Sequence, residues 1–513
     1  MDQENLGKER SGRPALVEEE VDRLGLAGAS VLTLAVRLYL AFNYYTINND
    51  GVLYIEASRH FWEGRWGDGL ASFYPPLYPL MIVAAYSAVQ DWEAAGQFWP
   101  FVLSLLILLP LYGLLRRIYG FRAAQIGLFF YAVSPYLARF SLHVRSEMPY
   151  IFFLVLALYL LQRWFDEGRF YSLFLAGVCS AFAYLIRSEG FGLILIGIFF
   201  IIYRSWLTKR LEGSLWRVAF LLAGFFILAA PYILYLRWDT GSWLISRKAG
   251  MILSMGLAEH DPDSEQVGMK ESDRTSVIDM IASHPAAYAK KVFVDFFRSL
   301  GVYFEAIHYS YLPFLLIGCA LSFRGRFWEQ KEVLIAATIV LYLIAFSLLY
   351  VNRRYAVPLA PLSLGWVGMG FAYMEDYLRV RWGRRGLLLT GIAIVVFLVG
   401  TLPKTLQAIG QEKLYLREAG IYLKGKPGNP IIVTTNARVA FYAWGQHRVF
   451  VKEMNDLPDH LAIQDGDYLA LDREAYMRLQ PLLKQQGWLL DREFSSGEKK
   501  KEDLYVLSRA GSS

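Results

Sequence analysis

Long apolar runs recur from about residue 24 to residue 402, separated by short links that hold much of the chain's arginine and lysine. About 20 such residues form a helix long enough to cross the hydrocarbon core of a bilayer. Charged residues make up 19% of the 513 residues, against about 25% in a soluble domain, so a soluble fold of this length would lack solvated surface. The sequence therefore predicts a polytopic α-helical membrane protein.

The basic links fix the expected threading, because cytoplasmic links are enriched in Arg and Lys. The first span is expected at 24–47, and later ones at about 97–115, 123–140, 147–163, 170–187, 190–206, 216–236, 305–323, 332–351, 355–373 and 386–402. That is about eleven spans, with the N-terminus inside and the C-terminus outside. The run "PPLYPLMIVAAYSAVQ", from Pro75 to Gln90, is too short for a comfortable span. Counting it as one would throw "RRIYGFR" and every later basic link to the outside, so it is expected to lie along the outer face. Outer loops then cover about 48–96 and 237–304. The second holds "AAYAKKVFVDFFRSLGVYF", in which Ala289, Val292, Phe293, Phe296, Phe297 and Leu300 share one helical face, while Lys290, Lys291, Asp295 and Arg298 point elsewhere. Such a helix lies in the membrane surface or packs on the protein's own outer face.

Residues 1–23 are polar and carry no signal-peptide pattern; they are expected to form a cytoplasmic tail. Residues 24–403 form the expected membrane domain. After Pro403 the pattern changes to short apolar runs, "PIIVTT", "VAFYAW", "RVFVK", "DYLALD", "GWLLDREF" and "DLYVLS", separated by turn residues and amphipathic stretches. This predicts a small extracytoplasmic α/β domain over 404–513. It has no glycine-rich phosphate loop. The net charge of +6 resides in topology-setting links, which argues against nucleic-acid binding. Two cysteines, Cys179 and Cys319, lie inside apolar runs and suggest neither a disulfide framework nor a zinc site.

With this threading, a set of charged residues falls at the outer ends of spans, where few are expected: Asp50, Arg145 and Glu147 in "LHVRSEMPY", Arg187 and Glu189 in "LIRSEGF", and Arg353 and Arg354 in "NRRYAVPLAP". Ionisable groups near membrane helices are costly and tend to mark function. Each also has a plain structural reading. Asp50 could cap the helix that follows, Ser146–Glu147 and Ser188–Glu189 could cap theirs, and a single arginine could snorkel. As a group they suggest a definite chemistry: guanidiniums bind phosphate and stay charged, and a carboxylate beside them can take a proton from an attacking hydroxyl. The aromatics Phe61, Trp62, Trp66, Phe73, Tyr74 and Tyr78 could face a sugar or a prenyl chain, or serve as an interfacial belt.

"NNDGVLYIEASRHFWEG", "FYPPLYPLM", "LHVRSEMPYIFFLVLALYLL", "LIRSEGFGL" and "NRRYAVPLAP" together resemble the GT-C glycosyltransferases that use polyprenyl-phosphate sugars. The sequence is most similar to glycosyltransferase family 39, which includes protein O-mannosyltransferases, and to the related lipid A aminoarabinose transferases. The resemblance spans roughly residues 25 to 400. It implies a GT-C-like helical domain with juxtamembrane helices on its outer face, probed by a polyprenyl-phosphate-linked sugar donor and by a protein, lipid or glycan acceptor. It implies Asp50 as general base, Arg353, Arg354, Arg187 and Arg145 as donor phosphate-binding residues, and Glu147 and Glu189 as their supports. His143, Tyr54, Tyr74 and Tyr355 are expected as further supporting residues, and His308 as a secondary one. Many members carry two adjacent acids where this chain has Asn49, Asp50 and Gly51, which leaves a divalent metal ion as an open cofactor question. "DPD" at Asp261–Asp263 reads as solvated loop, and no histidine spacing resembles a metal site. Family habit points to a bacterial inner membrane. Two rivals remain at this stage: a transporter or flippase of lipid-linked glycans, and a non-catalytic component of an envelope-glycan machine. Against the first, the charges gather at one edge instead of the bilayer midplane.

Overall fold

The computed structural model describes residues 15–209, 212–258, 281, 285–324, 331–428, 430–444, 447–450, 467–497 and 502–509. Most of the expected tail and the "DPD" segment lie outside the described residues.

Among the described residues, seven helices are long and apolar enough to cross a membrane: Arg23–Phe42, Trp92–Tyr119, Glu147–Glu167, Ser188–Leu207, Ser214–Thr240, Arg353–Trp382 and Arg384–Thr405. A bent pair, Pro285–Ile307 with Tyr309–Arg324, brings the number to eight if it is one span. Three more expected spans coincide with shorter apolar helices, Phe121–Val133, Phe170–Ile186 and Val333–Leu348. The protein is an integral, multi-pass membrane protein. Leu77–Val89 has 13 residues, about 20 Å of helix, which falls short of a bilayer core of about 30 Å.

Two breaks decide where the helices end. The expected span over 123–140 stops at Val133, because Pro135 opens a new helix and Ser134 before it is extended, with ψ of 122°. The expected span from 305 begins later. His308 takes a left-handed φ of 81°, and the chain turns by 85° between Pro285–Ile307 and the helix that follows. The Pro285–Ile307 helix buries Lys291, Asp295, Ser299 and Tyr303, one residue per turn along a single stripe. Lys291 pairs with Asp295 at 3.0 Å and donates to the Ser347 carbonyl at 2.9 Å. Phe293 and Phe297 are 69% and 61% exposed. The helix therefore packs on the protein, as one of the two sequence readings has it, but through its polar stripe, and the apolar face stays exposed.

Elsewhere helices meet at backbone distance. A Cβ on Gly224 would sit 2.1 Å from the Phe174 carbonyl oxygen, so only glycine lets Ser214–Thr240 lie this close to Phe170–Ile186. Arg37, buried in the first span, donates to the carbonyl of Ala132 near the end of Phe121–Val133 and lies 5.0 Å from the Tyr131 ring centroid.

The C-terminal domain carries a five-stranded sheet of β1 (Ile431–Thr434), β2 (His447–Phe450), β3 (Tyr468–Asp472), β4 (Trp488–Phe494) and β5 (Leu504–Arg509), in the order β2-β1-β3-β5-β4. β1 runs parallel to both β2 and β3, whereas β5 is antiparallel to β3 and β4. Alternate residues serve two cores. Ile432, Ala470 and Val506 pack with Leu416 and Leu423 of the Leu414–Lys424 helix, and Val433, Leu469 and Leu507 pack with Leu479 and Leu483 of Arg473–Gln485. Of the six short apolar runs, "VAFYAW" is largely helical (Ala437–Tyr442), because Asn436 caps it by accepting from the amides of Arg438 and Val439.

This domain grips the chain that leads to Asp50. Tyr45 N donates to the Ile409 carbonyl and Ile409 N to the Asn43 carbonyl, each at 2.9 Å. Arg417 donates to the Tyr45 carbonyl at 2.7 Å. The Tyr442 hydroxyl accepts from Ile47 N and donates to Glu93, both at 2.8 Å.

Candidate active site

Asp50 lies in the first turn of the helix Asn49–Trp62, but Asn48 is the cap: its side-chain oxygen accepts from Gly51 N at 2.8 Å. The capping alternative for Asp50 is therefore replaced, and its carboxylate is left for other partners. Gly51 sits in close packing, since a Cβ there would lie 3.0 Å from the Val144 carbonyl oxygen. That contact sets the loop carrying Arg145 against the start of the helix.

Three groups converge on the Asp50 carboxylate. The Tyr74 hydroxyl donates to it at 3.1 Å, Arg145 stands at 3.4 Å, and Arg354 donates to it directly. Arg354 also reaches Glu147, which is fully buried and pairs with Arg187 at 3.1 Å; Arg187 pairs in turn with Glu189 at 2.7 Å. The chain of alternating charge thus runs Arg145–Asp50–Arg354–Glu147–Arg187–Glu189. Burial of such groups is tolerated only when each is paired. Ser146 is not a side-chain cap; its hydroxyl bonds the Tyr54 hydroxyl at 2.7 Å and accepts from Arg187 at 3.4 Å. Tyr54 stacks on Tyr74, with centroids 4.1 Å apart, and Tyr355 lies 5.4 Å from the Arg187 guanidinium.

The two adjacent arginines diverge. Arg354 enters the charge chain, while Arg353 lies over the Tyr136 ring at 5.0 Å. Both line a cleft of about 390 Å³ together with Arg139, Arg145 and Arg298. His143 is near this cleft; burial, reinforced by Arg145 and Arg139, holds its imidazole well below its ordinary pKa and so neutral. His308 is not brought to the site: its Nδ1 bonds Ser310 at 2.8 Å at the helix break. Phe61 packs on Trp66 and Trp62 on Tyr86, away from Asp50, whereas Tyr78 packs edge-on against Tyr54.

Sequence reasoning missed Lys248, which opens the helix Lys248–Ala258. Its ammonium lies 5.1 Å from the Tyr74 ring and 6.0 Å from those of Phe73 and Tyr355. Burial, with Arg187 and Arg354 adding repulsion, pushes its pKa down to about 8. The signal was the pair Arg247–Lys248 in an expected outer loop, against the positive-inside bias. Arg139 and Arg298 were also missed as cleft residues, the first hidden at the end of an expected span and the second noted only as pointing away from an apolar helical face.

The donor set does not fit a divalent cation. Both carboxylates nearest the centre are engaged by guanidiniums, and among the described residues no group of three or more His, Cys, Asp or Glu side chains could hold a metal.

Residues 74–235 match the family model described as dolichyl-phosphate-mannose-protein mannosyltransferase. The match takes in Tyr74, Arg145, Glu147, Arg187 and Glu189, but neither Asp50 nor Arg354. No curated protein matches. Among solved structures, the oligosaccharyltransferase AglB from Archaeoglobus fulgidus, in complex with an inhibitory peptide and a dolichol-phosphate, is 13% identical with a TM-score of 0.58, covering 95% of this chain and 74% of its own. ArnT from Cupriavidus metallidurans, bound to undecaprenyl phosphate, is 12% identical with a TM-score of 0.55, covering 96% and 98%. At these identities the likeness is one of fold, and it extends over nearly the whole chain. The chain thus shares the fold of these two solved structures, and within it residues 74–235 are similar to the mannosyltransferase family.

Proposed function

We propose that the protein transfers a sugar from a polyprenyl-phosphate-linked donor to an acceptor hydroxyl at the extracytoplasmic face of a membrane. The carrying observation is the contact of Asp50 with Arg145 and Arg354, two of the five arginines around the neighbouring cleft. The family match and the lipid phosphates bound by the two structural neighbours support the donor class.

In this reading the donor phosphate occupies the cleft, held by Arg353, Arg354 and Arg145. Asp50 takes the proton of the acceptor hydroxyl as its oxygen attacks the anomeric carbon. The bond from that carbon to the phosphate oxygen breaks, and the polyprenyl phosphate leaves with the bonding pair. Guanidiniums already in place stabilise the charge that develops on it. Arg187 is enclosed between Glu147 and Glu189, so it acts through Glu147 in positioning Arg354. Tyr74 orients the Asp50 carboxylate, and Tyr54 and Tyr355 wall the charge chain. The acceptor is a hydroxyl of a protein, lipid or glycan.

The test is release of polyprenyl phosphate by purified protein supplied with lipid-linked sugars. Asp50→Asn is expected to lower turnover by about 100-fold or more, the usual range for loss of a general base. Undiminished release by a folded Asp50→Asn variant would remove the proposed base. Cysteine labelling in intact cells should place residues 48 and 352 on the same, outer side.

A further inference from the structure

A second basic cavity lies at the end of the helix bundle opposite Asp50. Glu147 and Trp164 stand at opposite ends of one helix, and it is the Trp164 end that lines this cavity, of about 450 Å³, with Gly168, Phe170, Arg204, Thr208 and Arg217. Arg204 donates to the Trp164 carbonyl at 2.9 Å and lies 4.5 Å from that ring's centroid. Arg217 donates to the Ser205 hydroxyl at 3.4 Å. Both retain further N–H donors, since a guanidinium carries five.

The two guanidiniums repel each other, and among the described residues no carboxylate lines the cavity. The acids nearby are committed elsewhere. Asp166 pairs with Arg117 at 3.2 Å and Lys331 at 2.9 Å, and Glu167 with Arg117 at 2.6 Å and with Arg163 and Arg169 at 3.2 Å each. The Ser214–Thr240 helix begins beside the cavity without a side-chain cap, adding the positive end of its dipole. The helix ends that form its rim also expose apolar side chains: Trp206, Leu215 and Trp216 are 67%, 81% and 70% exposed, as in the aromatic belt where a membrane helix meets the head groups.

We infer that this cavity binds the head group of an anionic phospholipid, whose phosphate Arg204 and Arg217 share while the acyl chains lie along the apolar rim. Asp166 attracts Arg204 from outside the cavity, and an anion inside it would be shared by both guanidiniums. The rim favours a lipid over a soluble anion, because a soluble anion gains nothing from the exposed tryptophans. The inference is independent of the sugar-transfer reading, as it involves no residue of that site.

The test is native mass spectrometry and thermal unfolding of the purified protein, titrated separately with phosphatidylglycerol, phosphatidylcholine and inorganic phosphate. Phosphatidylglycerol is expected to bind preferentially and to raise the unfolding temperature. Arg217→Gln should weaken that binding about fivefold, and Arg204→Gln with Arg217→Gln about thirtyfold, at about a fivefold loss per guanidinium. If the double variant does not fold, Arg217→Gln alone decides, since it removes a half-buried side chain that makes one long hydrogen bond. Equal binding of the two lipids, or unchanged binding by Arg217→Gln, would overturn the inference. Inorganic phosphate stabilising the protein as much as phosphatidylglycerol would also overturn it, marking a site for a soluble anion.

Discussion

Lys248 has an amine whose charge is in question near physiological pH. Its pKa of about 8, against an ordinary value of 10.5, arises mainly from burial. Beside it stand Arg187, Arg354, Glu189, Asp50, Tyr74 and Tyr355. Because the folded value is lowered, the unfolded chain binds more protons between pH 8 and 10.5, and this group's contribution to stability rises with pH through that window. If its ammonium helps hold the donor phosphate, donor affinity should fall as pH rises through about 8, and Lys248→Met should abolish that dependence; binding of a polyprenyl phosphate measured from pH 6.5 to 9.5 checks both. Arg353→Ala and Arg354→Ala should separate at the same scale. The first removes only a cleft cation, whereas the second strips Asp50 and Glu147 of a shared partner, and truncating one member of a buried charge pair costs about 3–5 kcal/mol. Thermal unfolding of the two variants should therefore show a clear loss for Arg354→Ala and little for Arg353→Ala.

Among the elements, close helix contact and the inverted amphipathic helix make the sharpest predictions. Gly224→Val would drive a side chain into the Phe174 carbonyl and push two helices apart; overpacking of this kind costs about 1–3 kcal/mol, measurable as a lower unfolding temperature. A tryptophan at Phe297 should be quenched by brominated lipid acyl chains, because that face is exposed on the protein and apolar. No quenching would mean that the face meets water or another protein. The elements also show what the sequence could reveal. The break at Pro135, which the expected span over 123–140 overran, was there to be read, because proline announces it. The break at His308 was not, since neither Gly nor Pro marks it and only tertiary packing holds a histidine at positive φ. The apolar stripe of Pro285–Ile307 was readable, but which side it faces depends on Lys291 and Asp295 finding partners in the protein, and a periodic pattern cannot tell this.

Over the whole molecule, bookkeeping of basic links found one edge rich in wrong-side charges, and the fold joins Asp50, Arg145, Glu147, Arg187, Glu189 and Arg354 in one chain of contacts. Arg139, Arg298 and Lys248 escaped notice because their neighbours come from distant parts of the sequence, and charge counting has no measure of that. The sheet order of the C-terminal domain was equally hidden, since β1 pairs with strands on both sides of it by crossovers of unmarked direction. That domain is tied to the segment that leads to Asp50 through Tyr442, whose hydroxyl meets both Ile47 N and Glu93. Tyr442→Phe leaves these groups without that partner, at a cost of about 1–3 kcal/mol, and should speed amide hydrogen exchange over residues 43–51 while sparing the sheet. The pairing of Asn43 and Tyr45 with Ile409 carries a further consequence. The ribosome makes Asp50 before the residues that fasten its approach. A nascent chain thus holds Asp50 on an unfastened segment until Ile409 and Arg417 have been made.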